Sequence, residues 1–72
     1  MRCIYPFVSM TSVQRATSAF DKINLPYKIV ELDPSVTKKG CSFGIEVPGK
    51  FLDLAEKTMK NAGIRYKEHL EL

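Results

Sequence analysis

The sequence feature that most constrains the fold is a pattern of hydrophobic periodicity that occurs twice. Shifting the chain by 39 residues places one apolar stripe with helical spacing on a second such stripe. The first stripe consists of Val13, Ala16, Phe20 and Ile23, and the second of Leu52, Ala55, Met59 and Ala62. In each half, a segment rich in aromatic and β-branched residues precedes the stripe and another follows it. The chain is therefore predicted to contain two β-α-β units in tandem.

Turn and capping residues predict where the elements begin and end. The strand-like segments are residues 2–8, 27–32, 41–47 and 64–70. Thr11 and Gln14 have the spacing of a capping box, which predicts the start of the first helix. The second helix is predicted from about residue 50. Asn24 and Gly63 suit the left-handed position that follows a helix, so they predict the two helix ends.

Two β-α-β units in 72 residues predict a single domain that covers residues 1–72. Right-handed crossovers then place both helices on one face of a four-stranded antiparallel sheet. The predicted fold class is therefore α+β, a ferredoxin-like βαββαβ plait. Alternation along the two central strands predicts that one set of residues faces the helices: Ile4, Pro6, Val8, Phe43, Ile45 and Val47. The other set is predicted on the opposite face: Cys3, Tyr5, Phe7, Ser42, Gly44 and Glu46.

Composition excludes several classes of protein. The longest apolar runs are only a few residues, which is too short for a membrane span. Two cysteines are too few for a disulfide scaffold, and the first residues lack the pattern of a signal peptide. We therefore expect a cytoplasmic protein with both thiols reduced. The net charge of +3 is ordinary for a soluble domain and only a weak pointer to nucleic acid.

Cys41 is the candidate for chemistry. It follows Lys38, Lys39 and Gly40 and opens the predicted third strand. Nearby lysines favour the thiolate, which is the nucleophilic form of cysteine. Gly40 would give the thiol of a partner protein close access to the backbone. The alternative is that Cys41 is a small hydrophobic residue at the end of a strand.

The remaining reactive residue types carry weaker signals. Cys3 lies inside the first strand and is predicted on the side of the sheet opposite Cys41, which argues against a disulfide between them. Neither cysteine belongs to a CxxC pair, and His69 is the only histidine, so no metal or other cofactor is expected. His69 has no acidic residue at a telling spacing and is predicted to be a solvated strand residue.

The sheet face opposite the predicted helices could serve as a binding surface. RNA-binding plaits stack bases on aromatic residues of this face, and Tyr5 and Phe7 are predicted there. The third strand offers no ring at the matching places and has an acid at Glu46, which argues against RNA. The same face, with Val30 and Leu32, is predicted to bury itself against a second copy of the chain.

The motifs together resemble a family of small bacterial proteins described as selenium/sulfur-carrier-like. The segments that match are residues 5–9, Ala16, residues 40–45, and Leu52 to Tyr66, where the second helix ends and leads into an aromatic strand. Directly after the cysteine, where the family usually has glycine, this chain has Ser42, and Gly44 follows two positions on. The resemblance implies a carrier rather than a turnover enzyme, with Cys41 as the acceptor of sulfur or selenium. The residues expected to support it are Lys38, Lys39, Gly40, Ser42 and Gly44.

This interpretation implies donor and acceptor proteins as partners and needs no cofactor. A second interpretation is a non-catalytic module for protein interaction or small-ligand sensing that self-associates through its sheet. A third is a nucleic-acid adaptor that uses the basic loop.

Overall fold

A computed structural model describes residues 2–7, 9–32 and 43–71 of the chain. The strands are β1 (Arg2–Phe7), β2 (Lys28–Glu31), β3 (Phe43–Pro48) and β4 (Leu70–Glu71). The helices are α1 (Met10–Lys22) and α2 (Leu52–Asn61), and a 3₁₀ turn (Gly49–Phe51) leads into α2. The order of elements is that of the predicted plait.

The four strands form one antiparallel sheet in the order β2-β3-β1-β4. Both helices contribute buried side chains to one core, where they meet residues of the central strands β1 and β3. Its buried members are Tyr5, Phe7, Val13, Ala16, Phe20, Leu25, Ile45, Val47, Ala55, Met59 and Ile64. This arrangement confirms the predicted α+β class and is consistent with a ferredoxin-like plait.

The end of α1 confirms the prediction made from Asn24. This residue has a φ of 55°, in the left-handed region that asparagine tolerates better than most residues. Its N–H donates to the Asp21 carbonyl at 3.2 Å, and the Leu25 N–H donates to the Phe20 carbonyl at 3.0 Å. These two bonds form a Schellman motif, in which Leu25 is buried in the same core as Phe20.

The end of α2 has the same geometry 39 residues later. Gly63 has a φ of 69°, and its N–H donates to the Lys60 carbonyl at 3.1 Å. The Ile64 N–H donates to the Met59 carbonyl at 2.9 Å, and both side chains are buried in the core. The internal repeat seen in the sequence therefore corresponds to a repeated helix end.

The start of α1 differs from the prediction. Ser9, rather than Thr11, is the N-cap, and its side chain accepts a hydrogen bond of 3.2 Å from the Ser12 N–H. Thr11 lies within the first turn of the helix. Ser9, Thr11 and Ser12 are all capping residue types, so the sequence alone did not single out one of them.

The face prediction for β1 is wrong. Tyr5 and Phe7 are buried in the core with the helices, whereas Ile4 and Pro6 lie on the other face. Arg2 is the one polar residue of β1, and alternation from this exposed residue places Ile4 and Pro6 on its face and Tyr5 and Phe7 on the other, as observed. Tyr5 also has a hydrogen-bond partner on α2, which favours the observed orientation.

The face prediction for β3 is confirmed where the residues are described. Ile45 and Val47 are buried in the core, and Phe43 packs against it. Gly44 and Glu46 consequently lie on the opposite face, as alternation requires. Two further members of the predicted sets, Val8 and Ser42, lie outside the described residues.

The fourth strand is shorter than predicted. Only Leu70 and Glu71 pair with β1, opposite Ile4 and Cys3. Residues 64–69 approach the core through Ile64 and Tyr66 without entering the ladder. Pro6 has no N–H to offer to a neighbouring strand, which is consistent with a ladder that ends before it.

Candidate functional site

Most of the predicted thiol site falls outside the part of the chain that the structure describes. The residues concerned are Lys38, Lys39, Gly40, Cys41 and Ser42, and their assignment stays a prediction. Gly44 is the one predicted site residue that is described. Cys3, the other cysteine, is also described, and its position bears on which thiol could react.

Gly44 is a packing notch at the centre of the sheet. It lies in β3 between Pro6 of β1 and Val30 of β2. A Cβ at this position would lie 2.7 Å from Ile4 Cγ2 and 3.2 Å from Leu32 Cδ1. Because Gly44 has no side chain, Ile4 of β1 and Leu32, the residue after β2, can both pack over β3.

Cys3 is a free thiol that is fully buried. It pairs with Val47, a fully buried core residue of β3, so it lies on the helix side of the sheet. The predicted position of Cys3 on the face opposite the helices is wrong. A buried thiol of this kind behaves as a small hydrophobic residue, because a partner protein cannot reach its sulfur.

The structure also shows a polar cluster that the sequence did not predict. The fully buried Tyr5 donates a hydrogen bond of 2.8 Å from its hydroxyl to Glu56 Oε2 on α2. Burial raises the pKa of Tyr5 well above its usual value, and the hydrogen bond to Glu56 raises it further. Tyr5 therefore keeps its proton and serves as a fixed hydrogen-bond donor to Glu56.

His69 belongs to this cluster: it is half-buried rather than solvated, and it lies before β4 rather than in a strand, so the predicted solvated strand residue is wrong. Its Nδ1 lies 3.8 Å from Glu56 Oε2, and its Nε2 lies 3.9 Å from Glu71 Oε1. The ring also contacts Tyr5 edge-on, with 5.8 Å between ring centroids. Glu56 comes from α2, and the fold brings it to His69, so spacing along the chain gave no signal of this contact.

The chemistry available to the cluster is that of hydrogen bonding and charge. Among residues 2–7, 9–32 and 43–71, no group of three histidine, cysteine, aspartate or glutamate side chains is placed to hold a metal ion. The Tyr5–Glu56 bond joins β1 to α2, and His69 adds the segment that precedes β4. The cluster therefore ties three elements together at one end of the core.

The sheet face opposite the helices is largely apolar. The residues that the register and the packing around Gly44 place there are Ile4, Pro6, Val30, Leu32 and Leu70. On the same face Arg2 pairs with Glu46, with 2.6 Å between Nη2 and Oε2. Val30 and Leu32 thus belong to this face, as predicted.

The two rings considered for base stacking are not on that face. Tyr5 and Phe7 are 0% and 2% exposed and point into the core. Stacking of RNA bases needs exposed rings on the sheet surface. The part of the nucleic-acid interpretation that rests on these two residues is therefore excluded.

Within the described residues, neither helix has the length and apolar character needed to cross a membrane. Comparison with protein-family models, curated proteins and solved structures gave no match to the chain.

Proposed function

We propose that the chain is a thiol-based carrier of sulfur or selenium, with Cys41 as the acceptor. The observation that carries the proposal is the burial of Cys3. The chain has two cysteines, and Cys3 is sealed between the sheet and the helices. Any thiol exchange with a partner protein therefore falls to Cys41, which follows Lys38 and Lys39 in the sequence.

The transfer step is a thiolate attack on a sulfane sulfur. The Cys41 thiolate forms a bond to the outer sulfur of a persulfide on a donor protein. The sulfur–sulfur bond of the donor breaks, and the donor cysteine leaves as a thiolate with the electron pair. The product is a persulfide on Cys41, and no external oxidant or reductant is consumed. Attack by an acceptor thiolate on this persulfide delivers the sulfur by the same exchange, and a selenosulfide donor gives the selenium equivalent.

The residues near Cys41 support the transfer in different ways. Lys38 and Lys39 favour the thiolate and attract an acidic partner surface. Gly40 and Ser42 flank the cysteine with small side chains. Gly44 fixes the packing of β3, the strand that begins two residues after Cys41. The partners are donor and acceptor proteins, and we propose the reducing cytoplasm as their compartment.

Mass spectrometry after incubation with a small persulfide donor tests the proposal. We expect one adduct of about 32 Da on the wild-type chain, because one sulfur atom is added to one thiol. Cys41→Ser should abolish the adduct, whereas Cys3→Ala should retain it. The proposal is wrong if the adduct forms on Cys3, or if Cys41→Ser accepts sulfur as readily as the wild type.

A second candidate function is a protein-interaction module that self-associates through its sheet. The observation that favours it is the half-buried apolar residues Val30 and Leu32 on the face opposite the helices, beside the buried Ile4 and Pro6. Sedimentation would show a dimer that Val30→Glu disrupts. Leu54→Glu is the matched control, since Leu54 is 44% exposed on α2. A monomer at all concentrations would exclude this second function.

A further inference from the structure

The cations of the sheet and of the 3₁₀ turn have partners nearby. Arg2 pairs with Glu46, with 2.6 Å between Nη2 and Oε2, and Lys28 lies directly opposite Glu46 in the ladder. The Lys50 Nζ lies 5.2 Å from the centre of the Phe51 ring. The positive charge of these residues is therefore offset where they lie.

The cations of α2 also have acidic neighbours. Lys57 and Lys60 share a cleft with Asp53 and Glu56. Lys67, which follows α2, has an interaction of its own and is not counted. The cations of the described residues that remain are Arg15, Lys22 and Arg65.

These three cations surround two adjoining clefts. The cleft between α1 and the end of α2 has a volume of about 400 Å³, and Arg15 and Lys22 line it. The cleft between α1 and the chain after α2 has a volume of about 300 Å³, and Arg65 lines it. The two clefts adjoin because Thr11 lines the first and Ser12 lines the second. Neither lining contains an aspartate or a glutamate, so the two clefts form one basic surface along α1.

The charge of this surface is not neutralised by carboxylates. Arg15 donates to the Ala62 carbonyl at 3.3 Å, which is a neutral backbone group. Lys22 and Arg65 are exposed and pair with none of the acidic side chains that the structure describes. Asp21, the acidic residue of α1, accepts a hydrogen bond from a tyrosine of the following segment. Adjacent residues of a helix point in different directions, so Asp21 does not face Lys22.

We infer that the basic surface along α1 docks an acidic surface of a partner protein. From Thr11 to Lys22 the helix rises by about 16 Å, so the cations form a stripe that one acidic segment can follow. Carboxylates accept charge-assisted hydrogen bonds from arginine, whose planar fork matches them. The exposed Ser18 of the first cleft adds a hydroxyl donor to the stripe.

A protein partner is favoured over a nucleic acid. Single-stranded nucleic acids are held by stacking on exposed rings as well as by charge, and the rings of Tyr5 and Phe7 are buried. The identity of the partner as a donor or acceptor of sulfur rests on the proposed function. The basic surface itself uses neither cysteine.

Titration with a deca-glutamate peptide, followed by backbone amide chemical shifts at low ionic strength, tests the inference. We expect saturable shifts at Arg15, Ser18, Lys22 and Arg65, which decrease as salt is added. A neutral peptide of the same length, made of alternating glycine and serine, should bind at least about tenfold more weakly. Equal binding of the two peptides, or shifts that leave α1 unaffected, would overturn the inference. A deca-thymidylate of similar charge that binds more tightly than deca-glutamate would also overturn it, in favour of a nucleic acid.

Two double variants with the same change in net charge locate the binding surface. Lys22→Gln with Arg65→Gln should weaken deca-glutamate binding about tenfold, because two charge-assisted contacts are lost. Lys28→Gln with Lys57→Gln removes two positive charges that lie elsewhere and should change the affinity much less. Equal effects of the two double variants would mean that only the net charge matters, which contradicts the inference. Cys41→Ser should bind the peptide like the wild type, so failure of the docking surface and failure of the carrier proposal are separate results.

Discussion

At the scale of single residues, Gly44 is a position with little room for a side chain. A Cβ there would approach Ile4 Cγ2 to 2.7 Å, and this methyl group is attached to a stiff β-branched carbon. We expect Gly44→Ala to lower the free energy of unfolding by about 1–3 kcal/mol, the usual cost of overpacking. Urea unfolding measures the loss.

A double-mutant cycle identifies the cause of that loss. Ile4→Ala removes the methyl group that the new Cβ would strike, so Gly44→Ala should cost less in the Ile4→Ala background. If Gly44→Ala lowers the free energy of unfolding equally in both backgrounds, the contact with Ile4 is not the reason that glycine is needed at this position.

Tyr5 gives a second prediction at this scale, which depends on pH. Its pKa in the folded chain is raised, whereas in the unfolded chain it ionises near its usual value of about 10. The stabilisation by the neutral phenol is therefore complete below about pH 10 and decreases as the pH rises further. We expect Tyr5→Phe to lower the free energy of unfolding by about 1 kcal/mol at neutral pH, because the bond to Glu56 is lost.

The difference between wild type and Tyr5→Phe should narrow above about pH 10, since only the wild type must keep this phenol protonated in order to fold. Tyr27 also has a raised pKa, through its bond to Asp21, but it is present in both proteins and cancels in the comparison. If the two free energies of unfolding differ by the same amount from neutral to strongly alkaline pH, the result contradicts the observed role of Tyr5.

The same residues show what the sequence could and could not predict. The residues next to Tyr5 in β1 are apolar, and the only polar residue that sets the phase of this strand is Arg2 at its first position. The contact of His69 with Glu56 was missed because the fold brings Glu56 to it from α2, whereas Glu71 is only two residues further along the chain. Pairing of this kind depends on tertiary contacts, which a hydrophobic pattern does not encode.

At the scale of elements, the start of α1 shows which of two equivalent residue types, Ser9 or Thr11, caps the helix. Ser9 accepts the bond from the Ser12 N–H, whereas Thr11 lies inside the first turn. We expect Ser9→Ala to lower the free energy of unfolding by about 1 kcal/mol and Thr11→Ala to change it much less. Thermal unfolding of the two variants measures both. A larger loss for Thr11→Ala would restore the capping box predicted from the sequence.

The repeated helix ends give a matched pair of expected effects. A side chain at Gly63 would meet nothing within 4 Å, so Gly63→Ala tests backbone strain alone. With a φ of 69° at this position, we expect a loss of about 1 kcal/mol. Asn24→Gly should raise the stability by a few tenths of a kcal/mol, since glycine adopts the φ of 55° more easily. Changes of the same sign in both variants would contradict the equivalence of the two ends.

Helix ends were predictable because they depend on local chemistry. Asparagine or glycine after an apolar stripe fixes the stop of each helix within a few residues of the chain. The length of β4 was not predictable in this way, because it depends on how far β1 can pair with it. Residues 64–69 have the composition of a strand, yet only Leu70 and Glu71 join the sheet.

At the scale of the whole molecule, the topology followed from the order of the elements. Two β-α-β units with right-handed crossovers leave few arrangements, and the sheet order β2-β3-β1-β4 is the one expected for the plait. The candidate site was less accessible to such reasoning. Cys41 and the basic residues before it precede β3 and lie outside the described residues, whereas the Tyr5–Glu56–His69 cluster arises from contacts between segments that are far apart in the sequence.

The central proposal is that the two cysteines differ: Cys3 is sealed in the core, and we propose that Cys41 is the thiol that exchanges with partners. The most direct test is the rate of alkylation of each thiol by iodoacetamide at neutral pH, followed by peptide mass spectrometry. We predict that Cys41 reacts at least about tenfold faster than Cys3 in the folded chain, and that the rates converge in urea. Equal rates in the folded chain, or faster modification of Cys3, would contradict the account.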